Sequence, residues 1–114
     1  MPHIIVEYSK NIGDIIGISK LLVDLHDSLA EAGVERARIK TRGIQCDDVV
    51  VGDHGSHGHM IHTTLLLLEG RDLETKNKYS DALRRKIIER VKGKVENCAV
   101  TLEIRDMNKD TYYM

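Results

Sequence analysis

MPHIIVEYS, residues 1–9, sets the frame for the whole chain. Along an extended backbone Ile4, Val6 and Tyr8 fall on one side and His3, Ile5 and Glu7 on the other. Both sides carry an Ile or a Val, so residues 3–8 predict a strand covered on two faces. Pro2 stands at the first position of that strand, where its missing N–H costs no ladder bond. Were Met1 removed after synthesis, Pro2 would instead carry a free secondary amine. Such an amine is a base, and burial or neighbouring cations bring its pKa toward neutrality.

Outward from this strand, SKNIGD (9–14) supplies turn chemistry and a plausible N-cap. Ile18, Leu21, Leu22, Leu25 and Leu29 then recur at helical spacing, with Lys20, Asp24, Asp27 and Glu31 on the outer face. The spacing predicts a helix over 15–32, ended by Gly33 as its C′ residue. RARIKTR (36–42) alternates, which predicts a strand running to about 46 with Arg36, Arg38, Lys40 and Arg42 on one face. A glycine-rich hairpin or loop follows over 47–58, then an apolar strand over 59–68. Residues 73–93 predict a helix on Tyr79, Leu83, Ile87 and Val91, supplemented by Ala82 and Ile88. Residues 97–105 alternate as a last strand with Cys98, Val100, Leu102 and Ile104 inward. The final nine residues are polar and are expected to trail or to dock on a neighbour.

Strand–helix–strand therefore occurs twice, over 2–46 and 59–106, within one domain spanning 1–114. The expected fold is α+β: two β-α-β units with right-handed crossovers form a four-stranded sheet with both helices on one face. Its other face is left bare. With no Phe or Trp among 114 residues, another copy is the expected cover. A formal net charge of −1 argues against bulk attraction to nucleic acid or membranes. No apolar run approaches the about 18 residues of a membrane span, and no signal peptide is evident, so a cytoplasmic chain is expected. Cys46 and Cys98 form no CxxC and read as reduced thiols.

Three groups carry possible chemistry. The basic face of RARIKTR reads either as a charged edge strand or as a platform for carboxylate or phosphate. No aromatic residues interleave its cations, which disfavours nucleic acid. His54, His57, His59 and His62 lie within nine residues beside Asp53, yet match neither HExxH nor structural-zinc spacing. A polar histidine-bearing hairpin is expected there, with no metal. In GRDLETK (70–76), Asp72 or Thr75 is placed to cap the helix and Glu74 favours its dipole. Arg71 opposes that dipole, and an anion held between it and the helix N–H groups would explain its position.

Together these residues resemble a known family. Pro2-His3-x-Ile5-Val6-Glu7-x-Ser9-x-Asn11-Ile12 is similar to the N-terminus of the 5-carboxymethyl-2-hydroxymuconate isomerases of the tautomerase superfamily. The similarity recurs at Ile39-x-x-Arg42, Asp47, His62-x-Thr64-Leu65 and Gly70-Arg71-x-Leu73-Glu74. The resemblance implies a homotrimer with an active site at each subunit interface. It implies Pro2, after Met1 removal, as the general base, with Lys40, Arg42 and Arg71 binding substrate carboxylates. The family typically has Arg where this chain has Lys40, and Lys lacks the bidentate fork. The chain is also shorter at its C-terminus than is usual in the family.

The implied activity is ketonisation of a 2-hydroxymuconate-like di- or tricarboxylate dienol in aromatic-compound catabolism, an intramolecular oxidoreduction needing no cofactor. A tautomerase for a phenylpyruvate-like α-keto acid and a non-enzymatic histidine-rich binding module are the alternatives. Retained Met1 would leave the Pro2 nitrogen an amide with no basicity.

Overall fold

The alternation at the start of the chain forms strand β1, His3–Ser9, in a computed structural model that describes residues 1–114. Ile4, Val6 and Tyr8 are buried, while His3, Ile5 and Glu7 are half-buried on the other face. After it come α1 (Gly13–Ile16), α2 (Ile18–Glu31), β2 (Lys40–Cys46), β3 (His59–Leu68), α3 (Leu73–Val91) and β4 (Cys98–Met107). The sheet order is β2-β1-β3-β4. Within each strand–helix–strand unit the strands are parallel, and β1 meets β3 antiparallel. The fold is the expected α+β four-stranded sheet. No helix is long and apolar enough to cross a membrane.

Helical periodicity places the core. Leu21, Leu25 and Leu29 of α2 and Leu83 and Ile87 of α3 are fully buried against Ile4, Val6, Ile61, Leu65 and Leu67. Truncating any one of these leucines or isoleucines to Ala would cost about 2–5 kcal/mol. At Gly43 of β2 an added Cβ would lie 3.3 Å from Leu22 Cδ1, so α2 sits close on that edge strand. Arg90 Nη2 donates to Asp24 Oδ2 at 2.5 Å and ties α3 to α2.

Three expectations are corrected. The first helix is interrupted at Gly17, whose φ of 65° is a left-handed conformation that glycine adopts without steric cost. Residues 36–38 form a 3-10 turn instead of the start of a strand. Buried Val34 and Ile39 anchor that turn, Arg36 pairs with Asp27, and Arg38 pairs with Glu35 at 2.9 Å. The basic face of β2 is therefore Lys40 and Arg42, not four cations in a row. Ile88, expected in the core, is 38% exposed because α3 buries a narrow stripe.

The sheet's second face remains uncovered in the single chain. Ile5, Leu66, Met60 and Ile44 lie on it, and Ile44 is 46% exposed. Around them stand Arg42, Glu7, His62, Glu103 and Arg105.

Candidate active site

Strand directions gather the candidate residues at one end of the sheet. β1 and β2 both begin there, while β3 and β4 both finish there. Pro2, Lys40 and Arg42 therefore meet Arg71, which follows β3, and the tail that follows β4. Pro2 is buried, and its carbonyl accepts from the Lys40 N–H at 3.0 Å, joining β1 to β2 at their first residues.

The terminal amine sits among cations. Met1 N donates to the Arg38 carbonyl at 2.5 Å. Burial first, then Lys40, Arg38 and Arg71, hold its pKa below the usual α-amino value. Each destabilises the protonated form, by desolvation or by like charge. Lys40, Arg42 and Arg71 take part in no ion pair of this fold. A cleft of about 540 Å³ opens at the amine, lined by Met1, Arg38, Lys40, Tyr112, Tyr113 and Met114 among others. A larger groove of about 610 Å³ lies between α2 and α3, where Lys78, Arg85 and Lys86 face Glu31, Asp81 and Glu89. Its cations and carboxylates offset one another, which leaves no net charge to gather a ligand.

Arg71 has intramolecular partners. Its Nη1 donates to the Leu68 carbonyl at 3.3 Å, and its guanidinium carbon lies 6.0 Å from the centre of the Tyr79 ring. Asp72 is the N-cap of α3, accepting from the Thr75 N–H at 2.8 Å, and hydrogen bonding from the Thr75 side chain first and its N–H second lowers the Asp72 carboxyl pKa. The cap and the Tyr79 ring offset the dipole conflict expected of Arg71.

His3 and Tyr112 were not singled out as site residues by sequence reasoning. Arg42 Nη1 lies 3.0 Å from His3 Nδ1, and His3 Nε2 lies 2.9 Å from the Tyr112 hydroxyl. The tail thus docks on its own chain. Burial, Arg42, Lys40 and the terminal amine, in that order, hold the His3 pKa below its ordinary value. Between that lowered pKa and about 6.5 the unfolded chain binds the proton more readily, so stability falls as pH drops through the window. Thermal melts between about pH 5 and 7 should show a steeper acid-side loss for wild type than for His3→Gln. Parallel curves would contradict this assignment.

The histidine cluster lies at the opposite end of the sheet. His54 is in a 3-10 turn at Gly52–His54 and His57 is in the following turn, both exposed. His62 contacts Thr101 Oγ1 at 2.7 Å and Glu103 at 3.7 Å. No three His, Cys, Asp or Glu side chains converge to hold a metal ion. Exhaustive chelation should therefore leave activity and Tm unchanged, and a loss restored only by added Zn, Ni or Cu would overturn the expectation. Cys46 and Cys98 are free and half-buried, and burial pushes the Cys98 thiol pKa up.

The sequence profile described as 5-carboxymethyl-2-hydroxymuconate isomerase matches residues 2–114. Among solved structures, a 5-carboxymethyl-2-hydroxymuconate isomerase from Deinococcus radiodurans R1 superposes with a TM-score of 0.89 at 20% identity, over 99% of this chain and 87% of that one. A 5-carboxymethyl-2-hydroxymuconate delta-isomerase gives a TM-score of 0.84 at 14% identity, over 100% and 87%. A fused 4-OT symmetric trimer gives 0.73 at 20% identity, over 98% and 90%. These structural likenesses are of fold. No curated protein sequence matches.

Proposed function

The chain belongs to the 5-carboxymethyl-2-hydroxymuconate isomerase family, and from that premise we propose that it ketonises a 2-hydroxymuconate-like dienol carboxylate with Pro2 as general base. The observation that carries this reading is the terminal amine, hydrogen-bonded to the Arg38 carbonyl and flanked by Lys40, Arg38 and Arg71. Removal of Met1 transfers the amine to Pro2, a secondary amine that those cations favour in its basic form.

The free base takes the proton of the substrate's 2-hydroxyl. Electrons move along the diene as the hydroxyl becomes a ketone, and the prolinium returns the proton to a remote carbon. Atoms and charge balance without a cofactor. Arg71 with Lys40 or Arg42 holds the carboxylates and draws negative charge toward one end of the dienolate. The absence of internal ion pairs at these three cations supports that use. The open sheet face supports assembly as a homotrimer, the state named for the fused 4-OT structure.

The test is a substrate screen followed by ultraviolet absorbance. Dicarboxylate and tricarboxylate dienols should ketonise faster than the enol of phenylpyruvate, which offers one carboxylate. A preference for phenylpyruvate would replace the substrate class, and inactivity on every enol would remove the reading.

A further inference from the structure

A carboxylate-binding arginine must be aimed as well as charged. Arg42 stands on the exposed edge strand with no carboxylate partner. An arginine side chain carries about 2 kcal/mol of rotamer entropy. Its one side-chain hydrogen bond is to His3 Nδ1. Arginine only donates, so Nδ1 is the unprotonated acceptor and the ring proton of neutral His3 sits on Nε2. That Nε2–H donates to the Tyr112 hydroxyl at 2.9 Å. The two rings meet edge-on, their centres 5.9 Å apart and their planes at 77°.

Tyr112 is delivered to this position by an anchored tail. Lys109 N–H donates to Glu69 Oε2 at 2.8 Å, which pins the tail beside the end of β3. Asp110 N–H donates to Asn108 Oδ1 at 2.8 Å, and Thr111 N–H to the Asn108 carbonyl at 3.1 Å. The chain folds back through this turn and lays Tyr112 on a residue 109 positions away in sequence.

We propose that Tyr112 is a positioning residue: its hydroxyl, accepting from His3 Nε2–H, fixes the orientation of the imidazole, whose Nδ1 thereby holds the Arg42 guanidinium ready for a ligand carboxylate. Arg42 spends one N–H on His3 and keeps its remaining donors for the ligand. Without the Tyr112 hydroxyl the imidazole loses its second anchor and is free to turn, which releases the Arg42 guanidinium from its aimed position. The identity of the carboxylate rests on the isomerase reading; the relay itself does not.

The test uses the full chain freed of Met1, as wild type, Tyr112→Phe, His3→Asn and the double variant. Long-range ¹H–¹⁵N spectra read the His3 tautomer, and calorimetry with cis,cis-muconate, an unreactive conjugated dicarboxylate, reads affinity. Wild type should show the Nε2–H form, which Arg42 selects, and so should Tyr112→Phe. Muconate Kd should weaken about three- to tenfold, the range for one neutral hydrogen bond. KM for an active dienol should rise by the same factor while kcat stays within about twofold. In His3→Asn the ring that links Tyr112 to Arg42 is gone, so adding Tyr112→Phe should change nothing further. A wild-type Nδ1–H tautomer, unchanged muconate affinity in Tyr112→Phe, an equal further loss when Tyr112→Phe is added to His3→Asn, or a wild type that does not bind muconate overturns the proposal. Wild type that binds muconate yet isomerises no dienol overturns the isomerase reading instead, and the relay stands or falls on the first two readouts.

Discussion

Pro2→Ala, in a chain freed of Met1, should turn over its dienol more slowly by about two orders of magnitude, the size of a general-base contribution. The substitution leaves an amine in place, but a primary one without the ring that fixes its direction. The fold should tolerate it, because the Pro2 contact that joins β1 to β2 is made by its carbonyl to the Lys40 N–H. Alanine keeps that carbonyl. The defect should therefore lie in kcat, with KM little changed, since Lys40, Arg42 and Arg71, the cations proposed to hold the substrate, are untouched. Steady-state kinetics on both proteins, each verified by mass to lack Met1, make the comparison. Unchanged kcat would dismiss the base assignment.

Arg71→Ala should lower kcat/KM by about 2–5 kcal/mol, the range for removing one partner of a desolvated charge pair. Its cost to the fold should be much smaller. Losing a cation at 6.0 Å from the Tyr79 ring removes about 0.5–1 kcal/mol. Relief of the α3 dipole returns a few tenths, roughly the low end for a charge at a helix end. Arg71→Lys should recover part of the kinetic loss, since it keeps the charge and loses the planar fork. A thermal melt beside the kinetics separates the two effects. If Arg71→Ala unfolds the chain while the remaining folded fraction keeps normal kcat/KM, Arg71 is a structural residue.

Elements whose pattern is local and strong were legible from the residues. HMIHTTLLLL forms a strand over His59–Leu68, the bounds that its composition suggests. Tyr79, Leu83, Ile87 and Val91 are the buried stripe of α3. Alternation misled at RARIKTR, because period two in charged residues says nothing about burial. Arg36 and Arg38 find carboxylates at Asp27 and Glu35, and the strand starts only at Lys40. Gly17 was passed over inside a convincing apolar stripe, although glycine is the residue that ends one helix and starts another at positive φ.

For the site, the chain order of the strands brought Pro2, Lys40 and Arg71 to one end, and the resemblance had already named them. The partnership of His3 with Tyr112 had no comparable signal. It joins the two ends of the chain through a tail turn held by Glu69 and Asn108, and no spacing within either end foretells it. Arg71 was legible as anomalous, whereas its stacking on Tyr79 follows from their shared position at the start of α3 and needed coordinates to see.

The central claim is that the working base is the amine of Pro2, which exists only when Met1 is gone. Purified chain that retains Met1 has an amide at that nitrogen, and an aminopeptidase converts it to the free form without altering any other residue. Ketonisation of a 2-hydroxymuconate-type dienol, followed by absorbance before and after cleavage with mass spectrometry to count the species, measures the claim directly. Activity should rise from near the uncatalysed rate in proportion to the fraction of chains beginning at Pro2. Equal activity in the Met1-retaining and Met1-free proteins would contradict it.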